Sequence, residues 1–197
     1  MRQSILFVLA SALFLAGAPV TAQEAADHLG IPGPVALGGT EYALAWSSRP
    51  GPDYIKQEYL PPGQTPETYQ NMVLIEFVAG DLAPADAAAR QVEMLNDRKQ
   101  SDPIANFQIL NNQETGEVIL DFVLSAKDSR GEYIIEWNGY RYAPAVDGAG
   151  RPGVMLFALS HRAYGNDASR AFLEGLRGFK DSQLQLLAAA PLPRIGQ

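Results

Sequence analysis

Three long β-forming runs lie almost end to end between Gly116 and Tyr164: GEVILDFVLSAK, EYIIEWNGYRYAPAV and GVMLFALSHRAY. Only Asp128-Ser129-Arg130-Gly131 and the DGAGRPG segment from Asp147 to Gly153 separate them. Parallel neighbours would need a crossover of a dozen residues or more, so links this short predict an antiparallel meander. Asn138-Gly139 interrupts the middle run with a hairpin signal. The β-forming Tyr140-Arg141-Tyr142 that follows favours one unbroken or bulged strand over two short ones.

Alternation within these runs divides the residues between two faces. In the first run Val118, Leu120, Phe122 and Leu124 form an apolar parity, expected to lie under helices, while Asp121 belongs to the other. In the second, Glu136, Asn138, Tyr140 and Tyr142 share one parity. In the third, Arg162 shares a parity with Val154, Leu156, Ala158 and Ser160. Each strand is therefore expected to have an apolar face and a mixed one. Antiparallel sheets commonly leave one face in water.

Upstream, the chain reads strand, strand, strand, helix, strand. Residues 23–39 form a Pro/Gly-rich lead-in. Glu41–Trp46 alternates as a first strand, and SSRPGPD follows as a turn. Tyr54–Leu60 is a second strand, stopped by Pro61-Pro62-Gly63. Thr65-Pro66-Glu67 has the form of a short helix start, with Thr as N-cap and Pro at the first helical position. Val73–Val78 is strongly β-forming. Pro84–Lys99 reads as a helix, with Ala85, Ala88, Val92 and Leu95 on one stripe and with acids early and Arg98-Lys99 late. Asn106–Asn111 is a further strand. A C-terminal helix begins at Asn166-Asp167 and carries Phe172, Leu176 and Phe179. Gly175 and Gly178 are costly in a helix interior, which implies either close packing of the backbone on the sheet or a break near Gly178 with a restart at Asp181. Residues 191–197 form a tail.

This order predicts a single α+β domain over residues 40–190: one antiparallel sheet of about six or seven strands flanked by two main helices. The order of elements resembles the PsbP-like fold, and the EYLPPGQTPETYQNMVLIEFV segment resembles a pattern in uncharacterised bacterial exported proteins. That resemblance implies an accessory or binding protein and carries no catalytic residue.

The N-terminal residues indicate export. Arg2 precedes an apolar run from Ile5 to Ala16, and Val20-Thr21-Ala22 places small residues ahead of a cut before Gln23. The run is shorter than the roughly 20 apolar residues of a transmembrane span. Removing residues 1–22 leaves 175 residues and takes away one arginine and no acid, so the net charge moves from −7 to −8. An acidic chain without a Lys/Arg cluster is a poor partner for nucleic acid or anionic membrane. With no cysteine, thiol catalysis, thiolate metal sites, disulfides and a lipidated N-terminal cysteine are excluded. The expected location is the periplasm, or the medium if the chain is secreted.

Few motifs carry chemistry. His161 is the only histidine in the folded body, and neighbouring Ser160 points to the opposite side of its strand, so no Ser–His pair forms there. There is no HExxH, no GxGxxG and no Walker loop, and DGAG at 147–150 lacks the remaining ligands of a calcium loop. No cofactor and no metal are expected. The candidate binding surface is the mixed face, with Glu76, Asp121, Glu136, Tyr140, Tyr142 and Arg162, where carboxylates and arginine on adjacent strands can pair. The expected function is a non-enzymatic accessory or binding module of the bacterial envelope with an envelope protein partner. The alternative is a small periplasmic hydrolase using carboxylates on that face. A third reading makes the lead-in or the tail a tether within a larger complex.

Overall fold

The computed structural model describes residues 25–196; the export signal expected at residues 1–22 lies outside them. The elements in chain order are β1 (Val35–Leu37), β2 (Thr40–Gly51), β3 (Tyr54–Leu60), β4 (Asn71–Ala79), α1 (Pro84–Lys99), β5 (Asn106–Asn111), β6 (Val118–Lys127), β7 (Tyr133–Val146), β8 (Pro152–Tyr164) and α2 (Asn166–Ala189). The strands form one sheet in the order β1-β2-β3-β4-β8-β7-β6-β5, every pair antiparallel. The chain builds a four-stranded meander, crosses one face as α1, and restarts at the far edge. It then builds a second meander inward until β8 meets β4.

The expected sheet of six or seven strands is thereby corrected to eight, curled into a half-barrel. The additional strand is β1, inside the segment read as a lead-in. Two local readings also change. SSRPG continues β2 beyond Trp46; of the two register shifts in β2, one lies between Leu44 and Trp46 and the second within SSRPG. Thr65-Pro66-Glu67 forms turns and no helix. Pro50 is accommodated because it falls in the second shift, between Ser48 and Gly51, where it has no ladder partner. The meander of β6, β7 and β8 has its expected connections. β7 is one strand of 14 residues with continuous register through Asn138-Gly139, neither turned nor bulged.

The helices do not share a face. On β4, Val73, Ile75 and Phe77 join a core with Trp137, Phe157, Leu159 and the α2 residues Phe172, Leu176, Phe179 and Leu187. Leu74, from the other parity, packs with Leu120, Tyr140, Ala158 and the α1 residues Ala88 and Leu95. Both parities of the central strands are therefore covered, so the expected wet face is largely a second core. The α1 stripe is also rotated from the expected one. Its buried line is Pro84, Ala88, Gln91 and Leu95, and Ala85 is exposed.

The sheet must curl around α2. Leu186 lies against Gly38 in the β1–β2 turn, while Leu187 lies against Gly139 of β7. β2 and β7 are four strand positions apart, roughly 19 Å in a flat sheet at the usual spacing. A helix about 10 Å across touches both only if the sheet bends round it. The helix itself is unbroken. At Gly175 and Gly178 a Cβ would meet open space, so neither close packing nor a break explains these residues.

The lead-in and the tail are parts of this body. Leu29, Ile31 and Leu37 are buried in the α2-side core. The fully buried Gln57 side chain accepts the His28 and Leu29 N–H groups at 2.6 and 2.9 Å, and donates to Tyr59 Oη at 2.6 Å. Tyr59 in turn donates to the Ile31 carbonyl at 2.7 Å. In the tail, Leu192 and Ile195 pack on the same core, and the Gly196 N–H donates to the Leu29 carbonyl at 2.6 Å. Among the described residues, neither end hangs free as a tether.

Candidate functional site

The register places most of the candidate residues on the α1 face in successive cross-strand rows. Lys56, Glu76, Leu156, Tyr142 and Val118 form one row; Glu58, Leu74, Ala158, Tyr140 and Leu120 form the next. Helix α1 lies over the β5–β7 half of this face. Among the described residues, no helix lies over the β3–β4 half. At the seam is a cavity of about 60 Å³. Its floor is Lys56, Glu76, Val78, Tyr140, Tyr142, Val154 and Leu156, and its wall is Ala87, Arg90, Gln91 and Met94 of α1. A water needs roughly 10–15 Å³ on this measure, so the space suits a ligand of only a few heavy atoms.

Polar groups at the cavity are paired with one another. Tyr54 Oη donates to Glu76 at 2.9 Å, and Lys56 Nζ lies 3.0 Å from Glu58. Burial raises the Glu76 pKa; Lys56 and the Tyr54 hydrogen bond offset part of that rise. For Lys56, burial alone would lower the pKa, but Glu58 and Glu76 outweigh it and hold the ammonium above its ordinary range. Burial also raises the Tyr140 and Tyr142 phenols, so both rings stay neutral. Trp46 reaches this face through the first β2 register shift. Without it Trp46 would share the parity of Leu44; with Ala45 extruded, Trp46 stands opposite Glu58 with Lys56 Nζ 5.8 Å from its ring.

Glu136 and Arg162 share this face but sit at its other end. They form an ion pair, and Glu136 also accepts from Tyr69 Oη at 2.9 Å and Asn138 Nδ2 at 3.0 Å. The Arg162 guanidinium lies 4.2 Å from the Tyr69 ring centroid, and Tyr164 Oη fixes the Tyr69 carbonyl at 2.8 Å. These contacts make this end a structural clasp.

Asp121 belongs to the opposite face. Trp137 Nε1 donates to it at 2.7 Å and Lys180 Nζ of α2 at 2.6 Å. Pairing between Asp121 and Arg162 is therefore ruled out by the sheet itself. His161 lies on the same α2 side, its Nδ1 2.8 Å from Asn71 Oδ1 and its ring centroid 4.8 and 4.9 Å from those of Phe172 and Phe179. Burial lowers its pKa. The unfolded chain then takes up a proton below about pH 6.5 that the folded protein resists, so this contribution to stability is present above that pH and is lost as pH falls. The stability gap between wild type and His161→Phe should accordingly narrow in thermal melts as pH drops from about 7 to 5.5. A gap that stays constant would overturn this assignment. Comparing the two proteins at each pH also cancels Glu76, whose raised pKa acts with the opposite sign.

Among the described residues, no group of three or more His, Asp or Glu side chains is placed to hold a metal ion, and no helix is long and apolar enough to cross a membrane. A family model matches residues 29–192. The chain belongs to this uncharacterised bacterial family. The family match takes in all eight strands and both helices. No curated protein and no solved structure matches the chain, and the resemblance to the PsbP-like fold gains no support.

Of the six candidate residues, the structure brings Glu76, Tyr140 and Tyr142 to one cavity, pairs Glu136 with Arg162 elsewhere, and sends Asp121 through the sheet. Sequence reasoning missed Tyr54, Lys56, Glu58, Trp46 and the α1 wall. A signal for the first three was present: in YIKQEYL they share one parity, as Glu76 does with Leu74 on the next strand.

Proposed function

We propose that this chain is an exported, non-enzymatic binding module of the bacterial envelope, and that the seam between α1 and the sheet holds its ligand. The ligand class is a small molecule with an apolar body and one polar end. The carrying observation is the lining: Val78, Ala87, Met94, Val154, Leu156 and the rings of Tyr140 and Tyr142 form its apolar part, and Glu76, Lys56, Arg90 and Gln91 are its polar groups. Such lining with a few placed polar groups is the usual composition of a small-molecule site. The hydrolase alternative needs free carboxylates, and those of this face are engaged: Glu76 by Tyr54, Glu58 by Lys56, and Glu136 by three donors at the far end.

Butylammonium and butyrate test this reading, since they share a chain length and differ in the charged end. NMR titration should show saturable shifts at Val154, Leu156 and the two tyrosines with at least one probe, and Ala87→Phe should abolish them by filling the seam. No saturable shift with either probe, or shifts that survive Ala87→Phe, would overturn the site.

A further inference from the structure

The sheet treats its two edges differently. At one edge β1 is three residues long, and the β2 strand beneath it carries two register shifts and Pro50. Short strands, bulges and proline are devices that stop an edge from pairing with another chain. At the other edge β5 carries none of them. Its sequence, Asn106-Phe-Gln-Ile-Leu-Asn111, has no charge and no proline, and its register against β6 is continuous over all six residues. Ile109 and Leu110 are 40% and 42% exposed, on opposite faces of the same strand.

The free backbone groups can be assigned. The Asn112 N–H donates to the Glu117 carbonyl at 2.9 Å, so that pair is hydrogen-bonded, and alternation turns Gln108 and Leu110 toward β6. Phe107, Ile109 and Asn111 turn outward. The Phe107 N–H is answered by the Asn106 side chain at 2.9 Å.

The charges beside the strand identify the partner. Lys99 stands at the N-terminal end, its Nζ 4.1 Å from the Phe107 ring centroid. The exposed Glu114 stands at the C-terminal end, in the turn between β5 and β6. An antiparallel pairing of two identical strands sets each basic end beside the other's acidic end.

We infer that β5 is a self-association edge: two copies of this chain pair β5 to β5 antiparallel about a two-fold axis, joining two eight-stranded sheets into one. With Ile109 of each copy opposite its counterpart, Phe107 of each faces Asn111 of the other, and outward groups meet outward groups. The two-fold keeps the α1 faces of both copies on one side. Ile109 is then covered on that side and Leu110 on the other. The absence of charge within the strand removes the like-charge opposition that disfavours self-pairing.

Sedimentation equilibrium of the purified chain over a wide concentration range tests this. A reversible monomer–dimer equilibrium is expected. Ile109→Lys places like charges on the two-fold axis and should raise the dissociation constant at least tenfold, while its thermal melt stays near wild type because the site is exposed. Lys99→Glu should weaken the dimer, and adding Glu114→Lys should restore it. Hydrogen exchange at the Ile109 and Asn111 amides should slow as concentration rises. A wild-type chain that stays monomeric throughout, as it would if the edge serves a strand from a different protein, overturns the inference. So does a dimer indifferent to Ile109→Lys.

Discussion

Arg141→Met is expected to lower the unfolding free energy by about 3 kcal/mol, a fall of roughly 6–12 °C in melting temperature for a domain of this size. The residue looks like an ordinary polar position in the middle of β7, yet it is 9% exposed. Its Nε and Nη2 donate to the two oxygens of Glu117 at 3.1 Å each, and its Nη1 donates to the Leu187 and Ala190 carbonyls at 3.0 and 2.8 Å. One guanidinium thus answers a carboxylate just before β6 and two carbonyls that the end of α2 leaves unbonded. Methionine keeps the stem's volume and removes every one of these bonds. The sharper test is the double variant with Glu117→Met. Breaking a buried pair strands a charge, whereas removing both partners does not. The double variant should therefore recover at least about 1 kcal/mol over Arg141→Met. A double variant no better than the single one would mean that Arg141 does not act through Glu117.

Gly153→Ala is expected to cost about 3 kcal/mol, at the upper end for overpacking. A Cβ there would lie 2.1 Å from the Val78 carbonyl oxygen and 2.8 Å from the Phe77 ring. No rotamer change relieves a clash with backbone, so β8 would have to lift from β4 where the two meanders join. Gly175→Ala should do the opposite. It sits in the exposed part of α2 with nothing within 4 Å of the added carbon, and should gain about 0.5–1 kcal/mol of helix propensity. Denaturant melts of the two variants should move to opposite sides of wild type. A Gly153→Ala protein as stable as wild type would refute the assignment of Gly153 to close strand contact.

Much of the fold was legible because its signals are local. Loop lengths of a few residues made β6, β7 and β8 antiparallel before any contact was known. Proline at the start, an acid in the first turn and bases in the last marked both ends of α1. The lead-in was misread for an equally local reason. Glycine and proline do break regular structure, but Leu29, Ile31 and Leu37 are spaced among them as core residues, and Gln57 holds the backbone at Leu29 and Ile31 from 28 and 26 residues away in the chain. The site was half legible. Glu76, Tyr140 and Tyr142 stand out because they interrupt or rim apolar parities; the α1 wall does not, since Gln91 lies outside the expected stripe of Ala85, Ala88, Val92 and Leu95 and is buried only because the helix is rotated.

By itself the sequence determined the periods, the strand directions within each meander, the helix limits at α1 and the absence of thiol chemistry. Those follow from side-chain alternation, turn chemistry and composition, which are properties of neighbouring residues. Tertiary structure alone decided that β8 meets β4, that α1 and α2 take opposite faces, and that Asp121 and Arg162 are separated by the sheet. A period of two says which residues share a face, and it carries no information about what will cover that face. In this protein the cover is set by where α1 crosses and by the curl of eight strands around α2. Those two events turned an expected wet surface into a second core with one small cavity at its seam.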